Sequence, residues 1–156
     1  MHPQVRRLLQ SGKRSAENLA PIAALVTRLV FGKQFMVTGW GKWTNLDTPT
    51  GLFASQGIPF PHANAVLVAT VELVGGACLI LGLGTRISAA LLMTTMVVAV
   101  LTVHRGQFFD ALSWSGDLTD IAPVVYGAAM LWLVGFGAGA VSIDRSIARN
   151  LSKEGS

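Results

Sequence analysis

AVLVATVELVGGACLILGLG (65–84) is followed, after only Thr85 and Arg86, by ISAALLMTTMVVAVLTVH (87–104). Each run is close to the about 20 apolar residues that carry a helix across a hydrocarbon core about 30 Å thick. Two residues between them leave room only for a tight turn, so the pair reads as an antiparallel helical hairpin. Further apolar blocks lie at about 21–41 and 119–141. The spacing therefore predicts an all-α, integral membrane four-helix bundle.

Composition agrees. Of 156 residues, 51% are hydrophobic and 13% charged, whereas a soluble domain carries roughly 25% charged residues. An ordinary water-soluble fold is excluded on that balance. Four spans also leave no length for a separate catalytic domain. Three units follow: a basic N-terminal segment (1–20), the four-span domain (21–145) and a basic tail (146–156). Within the first, Val5, Leu8, Leu9, Ala16 and Leu19 recur near helical spacing, which fits an interfacial helix or a frayed tail. Pro21 is expected to start the first span, and Trp40 and Trp43 to anchor its far end. Arg28 interrupts the apolar run early, so this span reads as retained rather than cleaved. Residues 44–64 carry three prolines and two glycines and form the one long connection, an outer loop or a lid. Residues 105–118 form a polar connection, and Pro123 sits in the first turn of the fourth helix.

The net charge of +4 has a simpler home than nucleic acid. Arg6, Arg7, Lys13 and Arg14 precede the first span, Arg86 lies in the hairpin turn, and Arg145, Arg149 and Lys153 follow the fourth. Only Lys42 and Arg105 fall on the other side. The positive-inside rule then places both termini in the cytoplasm, with membrane lipids as the first partner. Cys78 is alone in an apolar run, which rules out an internal disulfide or thiolate cluster and fits a small buried hydrophobe.

Few polar groups interrupt the spans. Glu72, near the centre of the second, needs a proton or a cation, and Arg28 and Lys33 in the first are the available cations. Matching span ends places Lys33 level with Glu72 and Arg28 roughly 8 Å deeper. The helical period, however, groups Arg28, Gly32, Phe35, Gly39 and Lys42 on one side and turns Lys33 elsewhere, while Glu72 shares a face with Gly76 and Leu79. We expect an Arg28–Glu72 contact with Lys33 as competitor. Such a group either fixes the register of the bundle or forms a proton, quinone or polar-ligand site. A second cluster, His104 with Asp117 and Asp120, lies at the outer face. It is a proton relay or divalent site on one reading, a helix cap by Asp117 or Thr119 on the other. No metal site is assigned. Tyr126 and Trp132 either pack or stack on a flat cofactor.

RLVFGKQFMVTGWGKW (28–43), FASQGIPFP (53–61), VELVGGACLILGLGTRISAALL (71–92) and GFGAGAVSIDR (135–145) resemble the DoxX family of small four-helix membrane proteins, a likeness covering about residues 22–145. The family pattern falls on Arg28, Gly32, Gly39, Lys42, Gly57, Pro59, Glu72, Gly75, Gly76, Gly82, Thr85 and Arg86. The resemblance implies association with membrane redox systems, such as thiosulfate:quinone oxidoreductases or thiol and superoxide defence. With no cysteine pair, flavin fold or heme motif, a redox step here requires a quinone or a partner subunit that brings the cofactor. The sequence therefore reads as a multi-pass subunit of a redox-associated complex in the bacterial inner membrane. Arg28 and Glu72 would organise its polar pocket and His104 would exchange protons, in company with other subunits or a second copy of the chain. A noncatalytic assembly subunit and a small-solute or proton transporter are the rival readings.

Overall fold

The computed structural model describes residues 3–139 and 141–154. Among these the regular elements are all helical: α1 (Pro3–Thr44), α2 (Asp47–Ser55), α3 (Pro61–Leu81), α4 (Thr85–Thr102), α5 (Arg105–Leu112), a 3-10 turn (Leu118–Asp120), α6 (Ala122–Phe136) and α7 (Ile143–Glu154). Four of them close a ring, α1 against α3, α3 against α4, α4 against α6 and α6 against α1. Phe35, Leu79, Leu92, Met96, Met130 and Leu133 fill its centre.

Leu19–Thr44, Pro61–Leu81 and Thr85–Thr102 are each long and apolar enough to cross a membrane. Val30, Leu67, Ile87 and Leu131 stay exposed on the outside of the ring, a surface that suits lipid rather than water. The protein is an all-α, multi-pass membrane bundle. The fourth apolar block is only partly one helix. α6 holds 15 residues, a rise of about 22 Å. Its flanks are taken by the 3-10 turn and by the segment after Gly137, whose φ of +77° stops the helix.

Four local expectations change. Pro21 lies inside α1 rather than at its start, so the backbone of residues 3–20 continues the first span as one helix. The long connection contains α2, which packs on α3 and buries Pro49. The polar connection contains α5, and the basic tail contains α7. α2 is supported by α3, and α5 by α4 and the 3-10 turn, tertiary contacts that local composition does not reveal.

The helix directions sort the chain into two ends. The C-termini of α1 and α4 and the N-termini of α3 and α6 meet at an aromatic end, where Trp40, Trp43, Phe60 and Trp114 are exposed. The α3–α4 turn, the end of α6 and the start of α7 meet at a basic end with Arg28, Arg86 and Arg145.

Glycines set how α1 meets α3. A Cβ on Gly32 would lie 2.9 Å from the Gly76 carbonyl oxygen and from Ile80, and one on Gly39 would lie 2.5 Å from the Leu73 nitrogen. Both are closer than real contacts allow, so the two backbones touch there, as small residues permit in membrane helices.

Candidate functional site

Arg28 is 1% exposed although it carries a full charge. Its Nε donates to the Leu79 carbonyl at 2.8 Å and Nη2 to that of Ile80 at 3.0 Å. Nη1 donates to the carbonyls of Ala138 at 2.5 Å and Val141 at 2.8 Å. The first two acceptors are among the last carbonyls of α3, which carry the negative end of its dipole; that of Leu79 also accepts from the N–H of the cap residue Gly82 at 3.1 Å. The other two lie in the segment between α6 and α7. One planar guanidinium thus ties α1 to two elements far away in sequence.

Two more charged residues treat other helix ends in the same manner. Arg86 donates from Nη2 to the Gly135 carbonyl at 3.2 Å, near the C-terminus of α6. Asp144 accepts from the backbone N–H groups of Gly84 at 2.7 Å and Thr85 at 3.0 Å, capping the N-terminus of α4. In return the Asp144 N–H donates to the Gly82 carbonyl at 3.0 Å. Partial burial pushes the Asp144 carboxyl up, but the N–H groups of Thr85 and Gly84 and the charge of Arg28 outweigh it. Its pKa falls below the ordinary value. Gly82 sits between these groups with φ +68°. A Cβ there would overlap the guanidinium of Arg28 and approach that of Ser142 to 2.7 Å.

Glu72 is 2% exposed and is paired with Lys42, not with Arg28. This corrects the expected Arg28–Glu72 contact, and the reason is register. Gly32 faces Gly76 and Ile80, Gly39 faces Leu73, and Arg28 faces Gly82. Arg28 therefore lies ten residues, about 15 Å, from the level of Glu72. Matching the ends of apolar blocks misjudged that register by more than one helical turn. Lys33 does not compete, since it is exposed on the outer side of α1. The shared face of Arg28, Gly32, Phe35 and Gly39 is buried, with Lys42 half-buried at its end.

His104 lies away from this group. Its Nδ1 is 2.8 Å from Oε1 of Gln107 at the start of α5. Asp117 and Asp120 line a surface cavity of about 240 Å³ with Asp110 and Gln107, and His104 is not in its wall. Asp117 accepts from the Thr119 hydroxyl at 2.7 Å and its N–H at 2.8 Å, which holds its pKa low and caps the 3-10 turn. Tyr126 packs edge-on between Phe31 and Phe35, with centroids 5.3 and 5.6 Å away, and Trp132 stacks on Phe136. Two residues carry roles that sequence reasoning missed. Lys42 lay on the correct face but near the end of its span, and Asp144 lay within the GFGAGAVSIDR stretch (135–145) with no role assigned to it.

A quinone head group needs donors turned into an apolar cleft. The cleft between α4 and α6, about 300 Å³, is lined by apolar groups including Met93, Met96, Phe108 and Leu131. The cleft between α3 and α4, about 170 Å³, has Asn64, Thr94 and Thr95 in its wall. Those three donate to the carbonyls of Pro59, Ala90 and Leu92 respectively. Neither of these two clefts presents Arg28 or Glu72 to a quinone ring.

The glycine contacts and buried charges all fall in or beside the part of the chain that matches a known family model, DoxX, over residues 23–105. The chain belongs to the DoxX family. This DoxX protein is 34% identical over 82 residues to "Putative oxidoreductase CatD" of Bacillus subtilis (strain 168), a match covering 53% of the chain and 60% of CatD. An "Uncharacterized protein" of Haemophilus influenzae is 29% identical over 131 residues, covering 82% and 92%. "Inner membrane protein YphA" of Escherichia coli (strain K12) is 27% identical over 126 residues, covering 80% and 90%. No solved structure matches the chain. It is thus a multi-pass integral membrane protein of an oxidoreductase-linked family, consistent with an inner-membrane location.

Proposed function

We propose that this DoxX protein is a noncatalytic membrane subunit of a redox-associated complex, crossing the bilayer four times with both termini cytoplasmic. It holds together a lipid-embedded platform, and a partner carries the electrons. The observation that supports this most is the use of Arg28, whose donors go to four carbonyls on two segments. A buried cation committed in this way organises helices rather than a substrate. The Lys42–Glu72 pair plays the same part between α1 and α3. The redox association is taken from the family and from the name of CatD. The fourth crossing is supported by the closed ring that includes α6, and the orientation by the excess of Lys and Arg at the basic end.

Gentle purification from native membranes tests this reading. A copurifying flavin-, heme- or iron–sulfur-bearing subunit is expected. Arg28→Met and Glu72→Gln should lower the yield of that assembly while turnover per assembled complex stays constant. A full yield of complex with turnover lost would overturn the assignment.

A further inference from the structure

The start of α7 leaves a cavity of about 470 Å³ against α1 and α3. Arg145, Arg149 and Ser146 form its α7 wall, and Arg28 lies at its inner side. Arg145 and Arg149 are four residues apart and so share one side of the helix. The opposite wall is apolar, with Leu25 from α1 and Leu81 from α3. Leu81 is 55% exposed, and Ile22 and Val26, flanking Leu25 on α1, are also exposed. The polar wall thus adjoins the surface that the spans show to lipid, near the end of the bundle where Leu19–Thr44 and Pro61–Leu81 leave the hydrocarbon core.

The geometry points to a binding site for the phosphodiester head group of an anionic phospholipid, its phosphate held by Arg145 and Arg149 and its acyl chains lying along Leu25 and Leu81. Arginine suits phosphate because its planar donors meet two oxygens at once. Arg28 donates to carbonyls, so it adds positive charge to the inner wall rather than contacts. A soluble phosphate would find the same arginines but gain nothing from the apolar wall. A lipid gains from both, and this selects it as the occupant. The Ser142 hydroxyl is held by the Gly139 carbonyl and the Arg145 N–H, which keeps the start of α7 in place beside the cavity.

The test uses the full chain in nanodiscs of equal phosphatidylglycerol and phosphatidylcholine, with retained lipid read by native mass spectrometry. Phosphatidylglycerol should be retained about thirtyfold over phosphatidylcholine, in line with the usual weight of two basic residues at an anionic surface. R145A/R149A should bring the two lipids to parity, and R145K/R149K should retain an intermediate preference. Equal retention by the unaltered protein would overturn the proposal, and this arm needs no variant to fold. So would an R145A/R149A protein, helical by circular dichroism, that keeps the full preference. Inorganic phosphate and glycerol 3-phosphate are the soluble probes. Displacement of the lipid by either at micromolar concentration would assign the site to a soluble anion and also overturn it.

Discussion

Lys42 reaches back along α1 to pair with Glu72, a carboxylate 2% exposed near the middle of α3. Lys42 keeps 31% of its side chain exposed, so the pair runs from the bundle interior toward the aromatic end. Glu72→Gln removes the charge and leaves Lys42 without its partner. Thermal unfolding in detergent should show a loss of about 1–3 kcal/mol. In a double-mutant cycle with Lys42→Met, a coupling of about 1 kcal/mol or more is expected. Additive losses would mean that the pair contributes nothing.

Gly39 and Gly76 should tolerate no side chain. A Cβ on Gly76 would lie 2.7 Å from the Gly32 carbonyl oxygen and 2.8 Å from the Met36 nitrogen, both backbone atoms that cannot swing away. Gly39→Ala and Gly76→Ala should each destabilise by about 1–3 kcal/mol through overpacking. Gly41→Ala, where nothing lies within 4 Å, serves as the control. Because Gly41 is helical, that change should be neutral or gain up to about 1 kcal/mol.

Arg28→Lys tests geometry apart from charge. An ammonium keeps the cation but cannot reach four carbonyls in the guanidinium's planar arrangement. The variant should lose about 2–3 kcal/mol of stability, with faster proteolysis in the segment between α6 and α7. Unchanged stability would show that charge alone suffices at the end of α3.

Asp144 makes stability depend on pH. Its carboxyl titrates below the ordinary value in the folded protein, so its contribution is complete above the unfolded pKa of about 3.9. That contribution disappears as pH falls through the lower folded value. Unfolding scans between about pH 2 and 7 should show wild type more stable than Asp144→Asn above about pH 4, with the two converging toward the acid end. A gap that stays constant with pH would remove the carboxylate from the account.

Single cysteines placed in the Cys78→Ser background at Arg86 and Trp114 report the orientation. A membrane-impermeant thiol reagent added outside intact cells should label position 114 and leave position 86 unlabelled until the membrane is opened. The reverse pattern would invert the bundle.

The all-α membrane class was legible because it depends on one-dimensional quantities: the length of apolar runs, the two-residue gap between 84 and 87, and the sparsity of charge. The buried face of α1 was legible for a related reason. Helical periodicity places Arg28, Gly32, Phe35 and Gly39 together without knowledge of any partner helix. Which groups meet across helices depends on the axial offset of α1 against α3. That offset is set by glycine backbones fitting against Gly76, Leu73 and Ala69, and a shift of one turn exchanges every partner. Hence Glu72 found Lys42, and Arg28 found the end of α3. The capping of α4 by Asp144 was beyond sequence for the same reason, since its two acceptor bonds join residues 59 and 60 positions apart. Hydropathy along the chain determined that these helices enter lipid. Close packing of their backbones in three dimensions decided where each buried charge is satisfied.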